Sequence, residues 1–464
     1  MTRSAAIGRA ATYVDSGAFQ AELGRRIALR TESQDPAALP QLHRYLTEEI
    51  GPALDRIGAR WRVVDNPVPG GGPFLVGHRS EDPDRPTVLV YGHGDVVLGQ
   101  PERWRDGLSP WSITVEGDRW YGRGTADNKG QHTLNLAALE QVLAACGGRL
   151  GFNLKVLVET GEEAGSAGLR EMAAAHAEEL SADVLIASDG PRLAADRPTV
   201  FLGSRGAVGF TLSLDLREGT YHSGNWGGLL RNPATVLANA IASLVDGRGA
   251  IRVPGLRAPA MPDSVRRALA DISPGGGPDD PDIDEGWGEP DLSPAERLLG
   301  ANALEVLAFT AGTPDGPVNA IPATARAHCQ LRYVVGTPAQ DLQRIVREHL
   351  DAHGFDMVDV RVDHNMAATR VDPDHPWVRW AVGSVARTTG APPAVLPNLG
   401  GSLPNDVFTD VIGVPTVWVP HSYPACAQHG PDEHLLVPIA REGAQIMAGL
   451  FWDLGEAGPD GPPA

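Results

Sequence analysis

Thr87-Val-Leu-Val-Tyr-Gly92 runs directly into His93, and three later apolar runs repeat the arrangement. Leu154-Lys-Val-Leu-Val-Glu159 leads to Glu162 and Glu163, Asp183-Val-Leu-Ile-Ala-Ser188 to Asp189, and Val414-Pro-Thr-Val-Trp-Val419 towards His429. A further acid, Asp127, stands in the loop Gly122-Arg-Gly-Thr-Ala-Asp127-Asn-Lys-Gly130. Helical stretches over 130–145 and 166–179 separate the first runs, an alternation that predicts a mostly parallel sheet covered by helices. Ligands of open α/β sheets gather outside the carboxyl ends of the strands. Two imidazoles and four carboxylates converging there suit hard or borderline divalent cations, so the pattern reads as a metal-dependent hydrolase.

Working outward, residues 17–60 carry helical spacing through Leu23, Ile27, Leu42, Leu46, Ile50, Leu54 and Ile57. The character changes near Gly203-Ser-Arg-Gly206. Val208–Asp215 and Ala323–Val335 alternate with period two, as half-exposed antiparallel strands do. With helices at 232–245 and 338–353 and a strand at 357–363, they predict a ferredoxin-like α+β sandwich. The acidic, Gly/Pro-rich stretch within 273–292 reads as a surface excursion or a lid. Helix-strand alternation resumes at 376–389 and 414–419, so the second unit is inserted into the first. The expected division is 1–205 and 371–464 for the catalytic domain and 206–370 for an inserted lid or dimerisation domain. The tail from Gly455 reads as frayed.

At 464 residues, two domains are the default expectation. The formal charge of −19 argues against nucleic acid and anionic membrane as partners. No apolar run approaches membrane-spanning length, and a cytoplasmic enzyme is the simplest reading. Cys146, Cys329 and Cys426 lack the spacing of a disulfide framework or zinc knuckle and read as packing residues.

Gly92-His93-Gly94-Asp95, Gly122–Gly130 and Glu159-Thr-Gly-Glu162-Glu163-Ala-Gly-Ser166 resemble the three signature blocks of a metallopeptidase family. That family contains aminoacylase, carnosine-type dipeptidases, carboxypeptidase G and succinyl-diaminopimelate desuccinylase. Ser188-Asp189, His222-Ser-Gly224, Asn319-Ala-Ile-Pro322, Arg332, Gly400-Gly-Ser-Leu-Pro404 and His429 with Glu433 follow in the same order. The resemblance implies two divalent ions per chain, zinc first, with cobalt and manganese compatible with the same donors. It implies one ion held by His93, Asp127 and Asp189, and the other by Asp127, Glu163 and His429, with a cis bond after the bridging Asp127. Glu162 would serve as general base, and Asp95 would fix the tautomer of His93. His421, directly after its strand, is the fallback for His429. The resemblance also assigns His222 to a partner subunit's site, implying a homodimer, and Arg332 and Asn319 to the substrate carboxylate. Gly401 and Ser402 join the substrate-binding set.

Competing readings of single residues are plain: a helix cap for Asp127, a solvated turn for Glu162 and Glu163, a surface residue for Arg332. One departure stands out. Dipeptidase-like members carry Arg-Glu before the Gly-Gly-Ser motif, whereas this chain has Asn398-Leu399. The expected function is cleavage of an amide bond in a small peptide or N-acyl amino acid. The alternatives are a dedicated N-acyl amino acid deacylase, or a metal-free binding protein on the same fold. A dinucleotide oxidoreductase is disfavoured, because Asp127 stands where the third glycine of the fingerprint belongs.

Overall fold

In the computed structural model, residues 2–275 and 281–457 are described. Helices α1 (Arg3–Asp15) and α2 (Ala18–Ala28) open the chain, and helical turns continue to Arg56. Strands β1 (Arg60–Val64), β2 (Phe74–Arg79) and β3 (Thr87–His93) follow, then helix α3 (Lys129–Ala145) and strands β4 (Asn153–Glu159), β5 (Val184–Ala187) and β6 (Thr199–Phe201). Next come β7 (Gly206–Asp215), helix α4 (Pro233–Leu244), β8 (Ala303–Ala311), β9 (Thr324–Tyr333), helix α5 (Leu342–Ala352) and β10 (Asp359–Met366). Helix α6 (Pro376–Thr389), β11 (Ala394–Leu396), β12 (Thr416–Trp418) and helix α7 (Val437–Glu456) complete the chain.

The large sheet has the order β1-β2-β4-β3-β5-β12-β6-β11. It is parallel at β3–β4, β3–β5, β5–β12 and β6–β11, and antiparallel at β1–β2, β2–β4 and β6–β12. Its central strands are buried on both faces, which explains their unbroken apolar runs. Helix α3 is buried nearly all round, so its sequence shows no clear apolar stripe.

The small sheet, β8-β9-β7-β10, is antiparallel throughout and packs helices α4 and α5 against one face around Phe210, Leu237, Leu331 and Val346. Strand β9 alternates exposed and buried residues as its sequence predicts. Strand β8 is an edge that leaves Val306, Leu307 and Phe309 exposed.

Two passages of chain join the sheets. Thr369 N–H donates to the Ser204 carbonyl at 3.0 Å and Val371 N–H to Leu202 at 2.8 Å. Leu399 N–H donates to Gly203 at 2.8 Å, and Arg205 N–H to Leu399 at 3.0 Å. A Cβ on Gly203 would lie 2.2 Å from the Thr369 carbonyl oxygen, so this approach requires glycine.

Several local expectations need correction. The helical reading of 17–60 breaks after Ala28, and its last helix ends at Arg56, ahead of strand β1. The 166–179 helix is two shorter pieces, Leu169–Ala175 and Ala177–Leu180. Gly455 and Glu456 belong to α7 rather than to a frayed tail, while residues 458–464 lie outside the described residues. So do residues 276–280 of the acidic excursion. No described helix is long and apolar enough to cross a membrane.

Candidate metal centre

His93 is the last residue of β3, and its ring is buried at the carboxyl edge of the sheet. Asp127 comes from the loop before α3. That loop is drawn tight, since a Cβ on Gly130 would meet the Thr125 carbonyl oxygen at 1.9 Å. The Asp127–Asn128 peptide is cis. Asn128, not Asp127, occupies the N-cap position of helix α3, and no side chain there caps it, so the cap reading of Asp127 does not apply.

The two oxygens of Asp127 face opposite neighbours. Oδ1 lies 3.1 Å from His93 Nε2, which is itself 3.5 Å from Asp189 Oδ2. Oδ2 lies 3.1 Å from His429 Nε2, which is also 3.1 Å from Glu163 Oε2. Two triads therefore share Asp127: His93-Asp127-Asp189, fully buried, and Asp127-Glu163-His429, open to solvent through His429. Bonds of about 2.0–2.1 Å to a tetrahedral ion put its ligand atoms roughly 3.4 Å apart, close to these spacings. Asp189 Oδ2 is buried and has no hydrogen-bond partner among the described residues. An orphaned acceptor aimed at a histidine and a carboxylate is what an absent cation leaves behind. The donor set fits a divalent ion in each triad.

Asp95 departs from its expected role in detail. Its carboxylate lies 3.5 Å from His93 Nδ1, while its carbonyl oxygen is nearer at 3.2 Å. The carboxylate instead accepts the N–H groups of Glu162 at 3.2 Å and Glu163 at 3.0 Å, and the Ser33 hydroxyl at 2.6 Å. It therefore fixes the turn carrying both glutamates. Glu162 lines the 450 Å³ cleft beside Asp127, Asp189, Leu399, Ser402 and His429.

Glu433 is a major anchor that sequence spacing flagged without a role. Fully buried, it accepts the N–H groups of Gly124, Ala126 and Asp127 at 2.9–3.0 Å and pairs with Arg123 at 2.7 Å. It thus ties the Asp127 loop to the segment that carries His429. Behind the loop, the Lys129 ammonium donates to the carbonyls of Arg26 and Leu29. His132, buried, bridges Asn128 Oδ1 and the Tyr45 hydroxyl.

Other predicted residues fall in two groups. Arg332 Nη1 donates to Ser402 Oγ at 2.9 Å, and Gly401 and Ser402 line the cleft. His222 and Asn319 sit on a small exposed ribbon instead. The His222 ring accepts only the Gly224 N–H among the described residues, and Asn319 meets Ser223 through its carbonyl. His421 is buried against Ser188 Oγ at 3.0 Å and joins neither triad. Cys426 packs with Ala126, Tyr423 and Ile439.

The electrostatics follow from burying like charges together. Burial, then the charge of Asp127, raises Glu163 to about 7, and burial lifts Asp189 to about 6. Burial also holds Glu162 well above the usual carboxylate range. Burial opposes the His93 cation, but Asp127 and Asp95 keep it well above the usual imidazole range. Asp127 and Glu163 raise His429 to about 11. Without a cation, the site therefore keeps protons on both imidazoles to high pH, and on its raised carboxyls below about 6–7. A divalent ion needs those atoms free, so binding releases protons and weakens as pH falls. Zinc titration by calorimetry between about pH 5.5 and 8 should show affinity rising with pH and net proton release. Affinity independent of pH would contradict this arrangement.

A sequence profile for peptidase family M20/M25/M40 matches residues 89–453. The chain is 29% identical over 386 residues to the cysteinylglycine-S-conjugate dipeptidase of Corynebacterium striatum, covering 80% of this chain and 81% of that protein. It is 32% identical over 261 residues to the Beta-Ala-His dipeptidase of Mus musculus, covering 53% of this chain and 52% of that protein. Among solved structures, a di-peptidase from Saccharomyces cerevisiae superposes with a TM-score of 0.76 at 22% identity, covering 98% and 100% of the two chains. An M20 family metallo-carboxypeptidase from Sulfolobus solfataricus gives a TM-score of 0.76 at 24% identity, covering 94% and 99%.

Proposed function

The chain belongs to peptidase family M20/M25/M40 and is a metal-dependent peptide hydrolase, and from that premise we propose that it cleaves small peptides or N-acyl amino acids that carry a free C-terminal carboxylate and no free amine. The observation that carries this reading is the pair of triads sharing Asp127 beside a cleft walled by Leu399 and by Ser402, whose hydroxyl accepts from Arg332 behind it.

Two zinc ions are the proposed cofactors, with His93, Asp127 and Asp189 holding one and Asp127, Glu163 and His429 the other. When bound, they supply Lewis acidity and lower the pKa of water towards neutrality. Glu162, outside both triads yet lining the cleft, takes the proton from water and returns it to the leaving amine. Arg332 receives the substrate carboxylate, for which a guanidinium is suited. Asn319 and His222 are proposed to act in a homodimer, His222 in the partner's cleft. Their position on an exposed ribbon and the exposed apolar edge of β8 support that assembly. Residues 206–370 form the proposed lid. Unpaired thiols fit a cytoplasmic setting.

The named relatives are dipeptidases, so the amine end is where this chain is proposed to differ. Leu399 lines the cleft in place of that glutamate, and the acids that line it, Asp127, Glu162 and Asp189, are those proposed for the ions and the proton relay; an ammonium group brought against Leu399 would lose its hydration. The zinc-loaded enzyme should hydrolyse an N-acetylated substrate with kcat/KM about tenfold or more above the free-amine dipeptide of the same sequence. A preference for the free dipeptide would refute the amine-blocked reading while leaving the hydrolase intact.

A further inference from the structure

A second cavity of 510 Å³ lies against the small sheet, bordered by Arg205, Arg332, Trp287, Leu298 and Glu305. Arg205 immediately precedes β7 and is 4% exposed. Its Nη1 donates to the Leu298 carbonyl at 2.8 Å, whereas Nε and Nη2 are buried and have no partner among the described residues. Nε and Nη2 together form the side-on edge of a guanidinium, the edge that takes both oxygens of one carboxylate.

Among the described residues of the cavity wall, none pairs with this cation. Glu305 is exposed and favours the cation by its charge alone, without a hydrogen bond, Asp284 is exposed, and Glu289 is engaged by the Ile251 N–H at 2.9 Å. Burial and then the like charge of Arg332 lower the Arg205 guanidinium to about 10, which still leaves it cationic at neutral pH. A buried guanidinium with two idle donors is costly unless a ligand meets them. Trp287 and Leu298 add apolar surface at the rim, suited to a short methylene stem.

The cavity adjoins the metal cleft. Arg332 borders the cavity and donates to Ser402 of the cleft wall, and the Ser402 hydroxyl donates to the Arg205 carbonyl at 2.8 Å. Arg332 spends Nε on Gln330 and Nη1 on Ser402, leaving Nη2 without a partner among the described residues. A leaving residue whose α-carboxylate sits on Arg332 therefore has a second guanidinium within the neighbouring space.

We infer that Arg205 forms a subsite for a second carboxylate, so that the preferred substrates end in a dicarboxylic amino acid. The inference rests on the proposed reading of Arg332 as the receiver of the C-terminal carboxylate. Two measurements separate its fate from that of the hydrolase reading. In the first, a substrate pair identical except for a C-terminal glutamate or glutamine is compared on the zinc-loaded enzyme. The wild type should favour glutamate by about tenfold or more in kcat/KM. Arg205→Gln should reduce that ratio to within about twofold, and Arg205→Lys should do the same because an ammonium lacks the planar fork. In the second, calorimetry compares glutarate with its neutral diamide; wild type should bind glutarate at least about tenfold more tightly, and both variants should lose the difference. If Arg205→Gln does not fold, Arg205→Lys decides. Equal use of glutamate and glutamine by the wild type, or a preference surviving in a folded variant, overturns the subsite. If neither substrate is hydrolysed, the peptidase reading fails, and glutarate binding still tests Arg205.

Discussion

Glu162→Gln is expected to lower kcat by about 10²–10⁴-fold, the usual worth of a positioned general base, with zinc content per chain unchanged. The expectation comes from the division of labour between adjacent glutamates. Glu163 Oε2 points at His429, whereas Glu162 is in neither triad and faces the cleft. Asp95 holds the two main-chain N–H groups, so the amide replacement leaves the turn and the Glu163 carboxylate in place. Paired measurement of turnover and bound metal checks it. A loss below about tenfold would remove Glu162 from proton transfer. Loss of zinc along with activity would make it a ligand instead.

Glu433→Ala should be as damaging by a different route. It strands three buried N–H groups and the Arg123 guanidinium, whose side chain is 1% exposed. Removing one partner of a buried pair costs about 3–5 kcal/mol, which for a chain of this size lowers the melting point by roughly 5 °C. Because the same carboxylate orients the Asp127 loop, zinc affinity should fall by about 10–100-fold as well. Thermal unfolding of the metal-free protein and zinc titration separate the two effects. A variant with wild-type melting and weakened zinc binding would make Glu433 an orienting group only; normal values for both would remove it from the site.

Much of the catalytic framework was legible because it is written in short range. Strands β3, β4 and β5 are apolar runs that end beside His93, Glu162 and Asp189, and their sequence position at the sheet edge follows from topology alone. Helix α6 begins and ends where its periodicity says. What escaped was of two kinds. Strand β1 follows the helical spacing with no signal of its own, and β8, Ala303–Ala311, is an edge whose pairing partner lies some twenty residues on, without the alternation that marks β9. Helix α7 is apolar around most of its surface, with Pro438 and three glycines diluting the signal. The second kind is long-range contact. Asp95 reaching the Glu162-Glu163 turn, Glu433 reaching a loop about three hundred residues earlier, and the idle edge of Arg205 have no periodicity to betray them. The motif order supplied names for the ligands, but only the fold gives Glu433 four donors and leaves Nε and Nη2 of Arg205 without an acceptor among the described residues.

Of the two passages that yoke the sheets, the one through Gly203–Arg205 is bonded on one side to the other passage and on the other to Leu399, which lines the cleft at the proposed amine end. Architecture and the proposed taste therefore meet at the same few positions. Descendants of this protein that alter what they accept must renegotiate how their halves are coupled, and neither trait is free to drift by itself.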